Sequence, residues 1–318
     1  MEFNHEPVMA RECIEQLKIL PNGTYIDGTV GGAGHAALIV EALGGTGRFI
    51  GIDRDERAVA VSTERLLAGK SKTDIRVVQS NFSDIESVCE ELGIEKVDGI
   101  LLDLGVSSHQ LDEAERGFSY QNDAPLDMRM DRQESLTAAD VVNQYREDEL
   151  VRIIHTYGEE RWAVRIAKFI VDARKSKSIG TTGELVEIIK AAVPKGARRD
   201  GPHPARRTFQ AIRIAVNREI EPLGEAVRKC AGVLAVGGRL CIISFHSLED
   251  RVVKTAFHEM ARECICPPEL PICTCNHRAT VRRISGKPIL PSAEEVERNP
   301  RARSAKLRVA ERLDEEIS

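Results

Sequence analysis

No apolar run in the chain approaches the roughly 20 residues needed to span a bilayer. The opening stretch MEFNHEPVMARECIEQL lacks the basic-then-apolar layout of a secretion signal, so a cytoplasmic protein without membrane association is expected. There is no global basic excess either: the formal net charge is −5. No internal repeat divides the 318 residues, a length that suits two domains or one large domain carrying an insertion. Charge is nevertheless unevenly spread. Residues 195–218 hold seven Lys/Arg against one acidic residue, Asp200, and residues 278–312 hold ten against four. Either run alone reads as a solvated face, but two of them point to an anionic partner.

Eight cysteines in a chain expected in a reducing compartment suggest thiols or metal ligands rather than a disulfide framework. Four fall in CICPPELPICTCNH, as Cys264, Cys266, Cys273 and Cys275. The spacing C-x-C-x6-C-x-C could wrap a zinc ion, yet pairs one residue apart are less common ligands than C-x-x-C. Free thiols in a variable loop are the favoured reading, and no metal is expected.

The first hundred residues alternate between two periodicities. TYID (24–27), GRFIGID (47–53), DIRVVQS (74–80) and VDGILLDL (97–104) are strand-like, with helical segments near 33–43, 54–69 and 83–92. This is the signature of βαβ units and a buried parallel sheet. After Leu104 the chain turns polar, then reads as wholly helical over 137–193. PKGARRDGPHPARR (194–207) is a linker by composition. One long amphipathic helix is predicted over about 206–232, then a fifth strand at 237–245, a helix, and two last strands in TVRRIS and SAKLRVAERL. The expected organisation is therefore an α/β domain over 1–108 and 206–318, interrupted by an all-helical insertion over 109–205.

DGTVGGAGH joins the first strand to the first of these helices, and so many glycines there suggest close approach by a ligand to the backbone. A dinucleotide fingerprint would need a third glycine where this chain has Ala37, which disfavours a nicotinamide dehydrogenase. Asp27, just before the turn, would repel a pyrophosphate but could accept hydrogen bonds from an ammonium. Asp53 closes the second strand, where a carboxylate can take both ribose hydroxyls. QSNFSD places Phe82 to lie beside an adenine. A nucleoside with an amino-acid-like arm fits all three residues, and that ligand is S-adenosylmethionine. The competing reading is a capping carboxylate and a core aromatic.

With these residues in view, the chain resembles the bacterial MraW/RsmH methyltransferases. Matching stretches run from end to end: NHEPVM, DGTVGGAGH, GIDRD, ILLDLGVSSHQLD, RGFSY, PLDMRMD, RRTFQAIRIAVNRE, SFHSLEDR and NPRARSAKLR. The resemblance implies a class I methyltransferase fold, Rossmann-like with a seven-stranded sheet, and a helical insertion that helps hold RNA. It implies S-adenosylmethionine-dependent methylation of N4 of a cytidine in the decoding region of small-subunit (16S) ribosomal RNA. The cofactor contacts carry over to Ala33, Gly34, His35, Asp53, Phe82, Asp103 and Gln110. The partner is that RNA, within the 30S subunit or a late precursor; free RNA as substrate and a dimeric state are both left open.

DLGVSS (103–108) stands where many amino-group methyltransferases carry Asp/Asn-Pro-Pro-aromatic, and only the acid is kept. An acceptor on the exocyclic N–H bonds makes a cytosine amine nucleophilic, so Asp103 is the catalytic candidate, with a role in holding the cofactor as the alternative. Phe118, Tyr120 and Phe245 are candidates for stacking on the base. His246, Ser247 and Glu249 follow strand five, where ligands of open α/β sheets sit, and equally suit a helix cap with Ser247 as the capping residue. In PARRTFQAIRIAVNREI, Phe209, Ile212, Val216 and Ile220 form a core stripe. Arg206, Gln210, Arg213 and Asn217 form another that could lie on phosphates, with Arg207 beside it; an ordinary solvated face is the alternative. Arg301 and Arg303 could act likewise or flank a hairpin. A C5-cytosine methyltransferase would need Pro-Cys where this chain has Leu104-Gly105. A non-catalytic RNA-binding assembly factor is the remaining rival.

Overall fold

The structure, a computed structural model, describes residues 6–198, 203–267, 270, 272–275 and 277–314. The chain divides into two compact units, Met1–Gly105 with Ile220–Ser318, and Val106–Glu219.

In the first unit the chain runs through helix α1 (Ala10–Leu17), strand β1 (Thr24–Asp27), α2 (Gly34–Leu43), β2 (Arg48–Asp53), α3 (Glu56–Ala68), β3 (Asp74–Gln79), α4 (Ile85–Glu91) and β4 (Val97–Asp103). The second unit follows with α5 (Ser108–Asp112), α6 (Ala138–Gln144), α7 (Glu147–Gly158), α8 (Ala163–Arg174), α9 (Thr182–Ala192) and α10 (Arg206–Asn217). The first unit then resumes with α11 (Leu223–Gly232), β5 (Leu234–Ser244), α12 (Ser247–Met260), β6 (Val281–Arg283), α13 (Ala293–Arg298) and β7 (Lys306–Arg312).

Seven strands form one sheet in the order β3-β2-β1-β4-β5-β7-β6. Strands β1 to β5 pair in parallel, while β7 runs antiparallel between β5 and β6. That order is the class I methyltransferase sheet. Strand residues alternate between two cores, as a sheet buried on both faces requires. Ile26, Ile50, Ile100 and Ile242 belong to one core, Tyr25, Phe49, Leu101 and Ile243 to the other. Strand order reverses at β1, whose neighbours are β2 and β4. Ligands of open α/β sheets settle outside the carboxyl ends of the strands at such a point. Asp53, Asp27 and Asp103 are the last residues of β2, β1 and β4.

The helical unit packs around its own apolar core, with Val141, Ile154, Ile166 and Ile189 among the buried residues. Thr137 and Thr181 each cap a helix, their side chains accepting the N–H of Asp140 and Glu184. Phe209, Ile212 and Val216 of α10 belong to this same core. The return to the sheet unit therefore falls at Ile220 and not at 206, correcting the expected boundary. The single helix expected over 206–232 is two helices. Arg218 adopts a left-handed φ of 48° at the end of α10, and Pro222 caps α11. Of the expected linker, residues 195–198 form a 3-10 turn, and 199–202 lie outside the described residues. Helix α1, unforeseen from the sequence, buries Cys13 and Leu17.

Candidate cofactor site at the carboxyl edge of the sheet

The turn after β1 is held from three sides. Gly28 N–H donates to Leu101 O at 2.9 Å, Val30 N–H to Ile52 O at 3.0 Å, and Ala33 N–H to Val30 O at 2.7 Å. A Cβ on Gly28 would lie 2.4 Å from Leu102 Cδ2 and 3.1 Å from Phe82 Cβ. A Cβ on Gly34 would meet Pro7 Cβ at 3.1 Å. The close approach that these two glycines allow is thus by the protein's own side chains. Gly32 faces open space, with no atom of the described residues within 4 Å of where its Cβ would be. The ligand-facing part of the turn is narrower than its glycine content suggests. Ala33 is buried, holds a left-handed φ of 62° and caps α2, which begins at Gly34.

Asp53 is fixed by backbone donors. Its Oδ2 accepts Gly31 N–H and its Oδ1 accepts Asp55 N–H, both at 2.9 Å. Each oxygen keeps a further lone pair, which suits a pair of hydroxyls. Asp27 is buried, and its Oδ1 accepts Thr29 N–H at 3.0 Å. Thr29 Oγ1 in turn accepts Asp103 N–H at 2.6 Å, tying the ends of β1 and β4 together. Asp103 Oδ1 is buried and has no hydrogen-bond partner among the described residues. Burial, followed by the charge of Glu249, pushes the Asp103 carboxyl up to about 7. Burial pushes Asp27 up to about 6, against a smaller opposing pull from His35, and it also raises Asp53.

His35 lies beneath the turn. Its Nε2 is 2.8 Å from Val8 O, so Nε2 carries a proton, because a carbonyl can only accept. Its Nδ1 is 3.8 Å from Asp103 Oδ2. Burial lowers the His35 pKa. With a neutral ring, Nδ1 presents a lone pair to Asp103, which adds to the reasons for that carboxyl to hold a proton. Phe82 opens a 3-10 turn capped by Asn81 and packs half-buried against the sheet core.

Three carboxylates thus end adjacent strands, and among the described residues none of them pairs with a lysine or arginine. An arrangement of that kind fits a ligand bearing positive charge, with an ammonium and a sulfonium in reach of acids. The residues fit S-adenosylmethionine and disfavour a pyrophosphate.

A model of the MraW methylase family matches residues 2–313. The chain belongs to that family. The Ribosomal RNA small subunit methyltransferase H of Clostridioides difficile is 57% identical over 313 residues, covering 98% of this chain and 100% of that protein. Its namesake from Acetivibrio thermocellus is 58% identical over 313 residues with the same coverage. A solved rRNA methylase from Streptococcus thermophilus aligns with 97% of this chain and 98% of its own at 10% identity, with a TM-score of 0.44. This MraW methylase is a methyltransferase, and its cofactor is S-adenosylmethionine.

Other expected site residues of the methylase divide into those left available and those already engaged. Gln110 belongs to the helical unit, where its Oε1 accepts Ser107 N–H at 3.1 Å. His246, not Ser247, is the cap of α12: its Nδ1 accepts Glu249 N–H, and Glu249 Oε2 accepts Phe245 N–H at 2.8 Å. Ser247 is the first helical residue and is exposed. Arg213 forms a two-pronged ion pair with Glu219 at 2.9 and 3.0 Å. Asn217 Nδ2 donates to Met128 O, and its Oδ1 accepts Met130 N–H. Gln210 donates to Tyr157 O. These three side chains are engaged within the helical unit, which favours a structural part for them over contact with phosphates. Arg207 donates to Glu159 O but is exposed, as is Arg206. Phe118 is buried in the helical core and has no face to offer a base; Tyr120 stacks on His203 at 4.7 Å. Arg301 and Arg303 fall in a 3-10 turn and not beside a hairpin.

Two features escaped the sequence reading. Thr29 links Asp27 to Asp103, and its signal was the D-G-T order, in which the acid accepts the N–H two residues on. The segment Pro7–Met9 braces the turn: Pro7 fills the space beside Gly34, Val8 O holds His35, and Met9 N–H donates to buried Glu295 at 2.6 Å. No pattern within the glycine turn announces that distant partner.

Proposed function

We propose that this MraW methylase transfers a methyl group to N4 of a specific cytidine in the decoding region of small-subunit ribosomal RNA, with Asp103 as the catalytic acid–base residue. The substrate is the 30S subunit or a late precursor of it, in the cytoplasm. The observation that carries this reading is the buried, unpartnered Oδ1 of Asp103 at the carboxyl end of β4.

Bound S-adenosylmethionine supplies an electrophilic methyl group on a sulfonium. Asp103 Oδ1 accepts an N–H of the cytosine amine, drawing the nitrogen lone pair out of the ring. Its raised affinity for a proton suits it to hold the one that N4 sheds. Thr29 fixes the Asp103 backbone, and His35 Nδ1 faces the carboxyl from 3.8 Å, beyond direct hydrogen-bond reach. Asp53 takes the ribose hydroxyls, Asp27 the ammonium, and Phe82 flanks the adenine. Phe245, half-buried just beyond β5, is the stacking partner left once Phe118 is assigned to the core and Tyr120 to its stack on His203. Arg206 and Arg207 contact phosphates. Attack at ring carbon six would need a thiolate instead. Cys13 and Cys241 are buried, and burial pushes Cys241 up to about 12, so neither offers one at neutral pH.

Asp103→Ala should abolish label transfer from the cofactor to undermethylated small subunits in a single-turnover assay, with binding of the subunit retained. Wild-type rates would remove Asp103 from the mechanism. Nucleoside mass spectrometry of the product should read N4-methylcytidine; a C5-methyl product would overturn the assignment of the acceptor atom.

A further inference from the structure

Between α12 and β6 the chain makes a long excursion whose described residues form neither helix nor strand. Its base is closed where Thr280 N–H donates to Met260 O at 2.8 Å. No described residue from 261 to 280 is buried, and Ile265, Leu270 and Ile272 are turned to solvent. Long loops without secondary structure stay ordered when their own side chains pack an interior. The described residues of this one form no apolar interior. What gathers at its centre is sulfur.

The Sγ atoms of Cys264, Cys266, Cys273 and Cys275 all lie within 4.8 Å of one another. Cys264–Cys273 is 3.4 Å, Cys266–Cys273 3.9 Å, Cys273–Cys275 3.5 Å and Cys264–Cys275 3.8 Å. An ion bound tetrahedrally by four thiolates at about 2.3 Å sets sulfurs about 3.8 Å apart. A disulfide would bring two of them to about 2.05 Å, and all four are free thiols here. Backbone N–H groups also point at the sulfurs. Ile265 and His277 donate to Cys275, Cys266 to Cys264, and Thr274 to Cys266, each at 3.4 or 3.5 Å. Donors aimed at sulfur stabilise thiolates and fix their directions, as the outer shell of a metal site does. Four neutral thiols would give this loop little reason to converge.

We infer that Cys264, Cys266, Cys273 and Cys275 form a structural zinc site. Four soft sulfur ligands in tetrahedral disposition select zinc over the harder divalent cations, and a full set of four leaves no open position for catalysis. On binding, the thiols release their protons to solvent and the ion supplies the interior that the loop lacks. The site is distinct from the cofactor site and does not depend on the assignment of the methyl acceptor. The C-x-C pairs, unpromising as ligands on spacing alone, work because the loop folds back and sets one pair against the other.

The test uses the full chain, purified reduced and without added metal or chelator. Elemental analysis should find one zinc per chain. Cys266→Ser with Cys273→Ser should lose that equivalent while still binding S-adenosylmethionine as wild type does. Thiol titration of the native protein should read no fast cysteines, then four after zinc is stripped, with Cys13, Cys89, Cys230 and Cys241 silent until unfolding. Cobalt(II) in the zinc-free protein should give the visible bands of a tetrahedral thiolate site. Protein that takes up no zinc when it is supplied, that carries iron, or that holds these cysteines as disulfides would overturn the inference.

Discussion

Acidifying the free methylase from pH 7 to pH 6 should weaken its grip on S-adenosylmethionine. The Asp103 carboxyl is pushed up to about 7 and that of Asp27 to about 6, so both take up protons across this interval. A ligand carrying an ammonium and a sulfonium favours the ionised acids, and binding must expel whatever protons they hold. The sign follows directly: both acids are ionised only above the two raised values, and affinity falls as the pH drops through them. Single-site linkage for Asp103 alone gives a loss of about fivefold between pH 7 and 6, and Asp27 brings it to about tenfold. That is about 1.4 kcal/mol. The interval stays below the titration of the ligand's own α-amino group, at about 7.7–8.0, which would otherwise act in the opposite direction. Calorimetry at the two pH values, repeated in buffers of different ionisation heat, reads the affinity and the protons released together. Asp103→Asn should reduce the drop to the roughly twofold share left to Asp27. A wild-type affinity unchanged from pH 7 to 6, with no buffer dependence, would refute the electrostatic account of the site.

Two further substitutions separate binding roles from structural ones. Asp53→Ala removes the acceptor for the ribose hydroxyls, and hydrogen bonds to a charged group contribute about 1.5–3 kcal/mol each. Cofactor affinity measured by calorimetry should fall by at least tenfold, and an unchanged Kd would show that the acid serves only Gly31 and Asp55. Arg206→Ala should weaken subunit binding and flatten its salt dependence, since a phosphate contact is lost. Arg213→Ala should leave that salt slope alone. It should instead lower the urea midpoint, because Glu219 would be left buried and unpaired at a cost of about 3–5 kcal/mol. An unchanged midpoint with a flattened slope would restore Arg213 to the RNA-contacting set.

Much of the sheet unit was legible in the sequence because its strands are short, apolar and spaced by amphipathic helices. Alternation reports burial on two faces directly. The acids that end β1, β2 and β4 were legible for a related reason: a charge closing an apolar strand has to sit at the sheet edge. Helix α1 was overlooked although Met9, Cys13 and Leu17 recur at helical spacing, all three buried in the same core. The break between α10 and α11 was overlooked because an amphipathic pattern does not register a single residue in the left-handed region, such as Arg218. The polar stripe of α10 misled for a different reason. Periodicity tells which residues share a face, and it is silent on whether that face meets solvent or, as with Arg213 and Asn217, partners inside the same unit.

The same distinction governs the glycine turn. Glycines mark where something comes close to the backbone, and sequence cannot say what. Here Leu102 and Phe82 come close at Gly28 and Pro7 at Gly34, so at both of these glycines the turn lets the protein pack against itself. Packing of that kind is what allows buried acids to persist. Asp27 and Asp103 remain where they are, short of cationic partners, because Thr29 and the crowded turn hold the strand ends in register. Relaxing that scaffold would let water reach the acids and bring their proton affinities back toward ordinary values. The elevated affinity of Asp103 for a proton is therefore a property of the tight turn as much as of the acid itself, and chemistry at β4 depends on packing at β1.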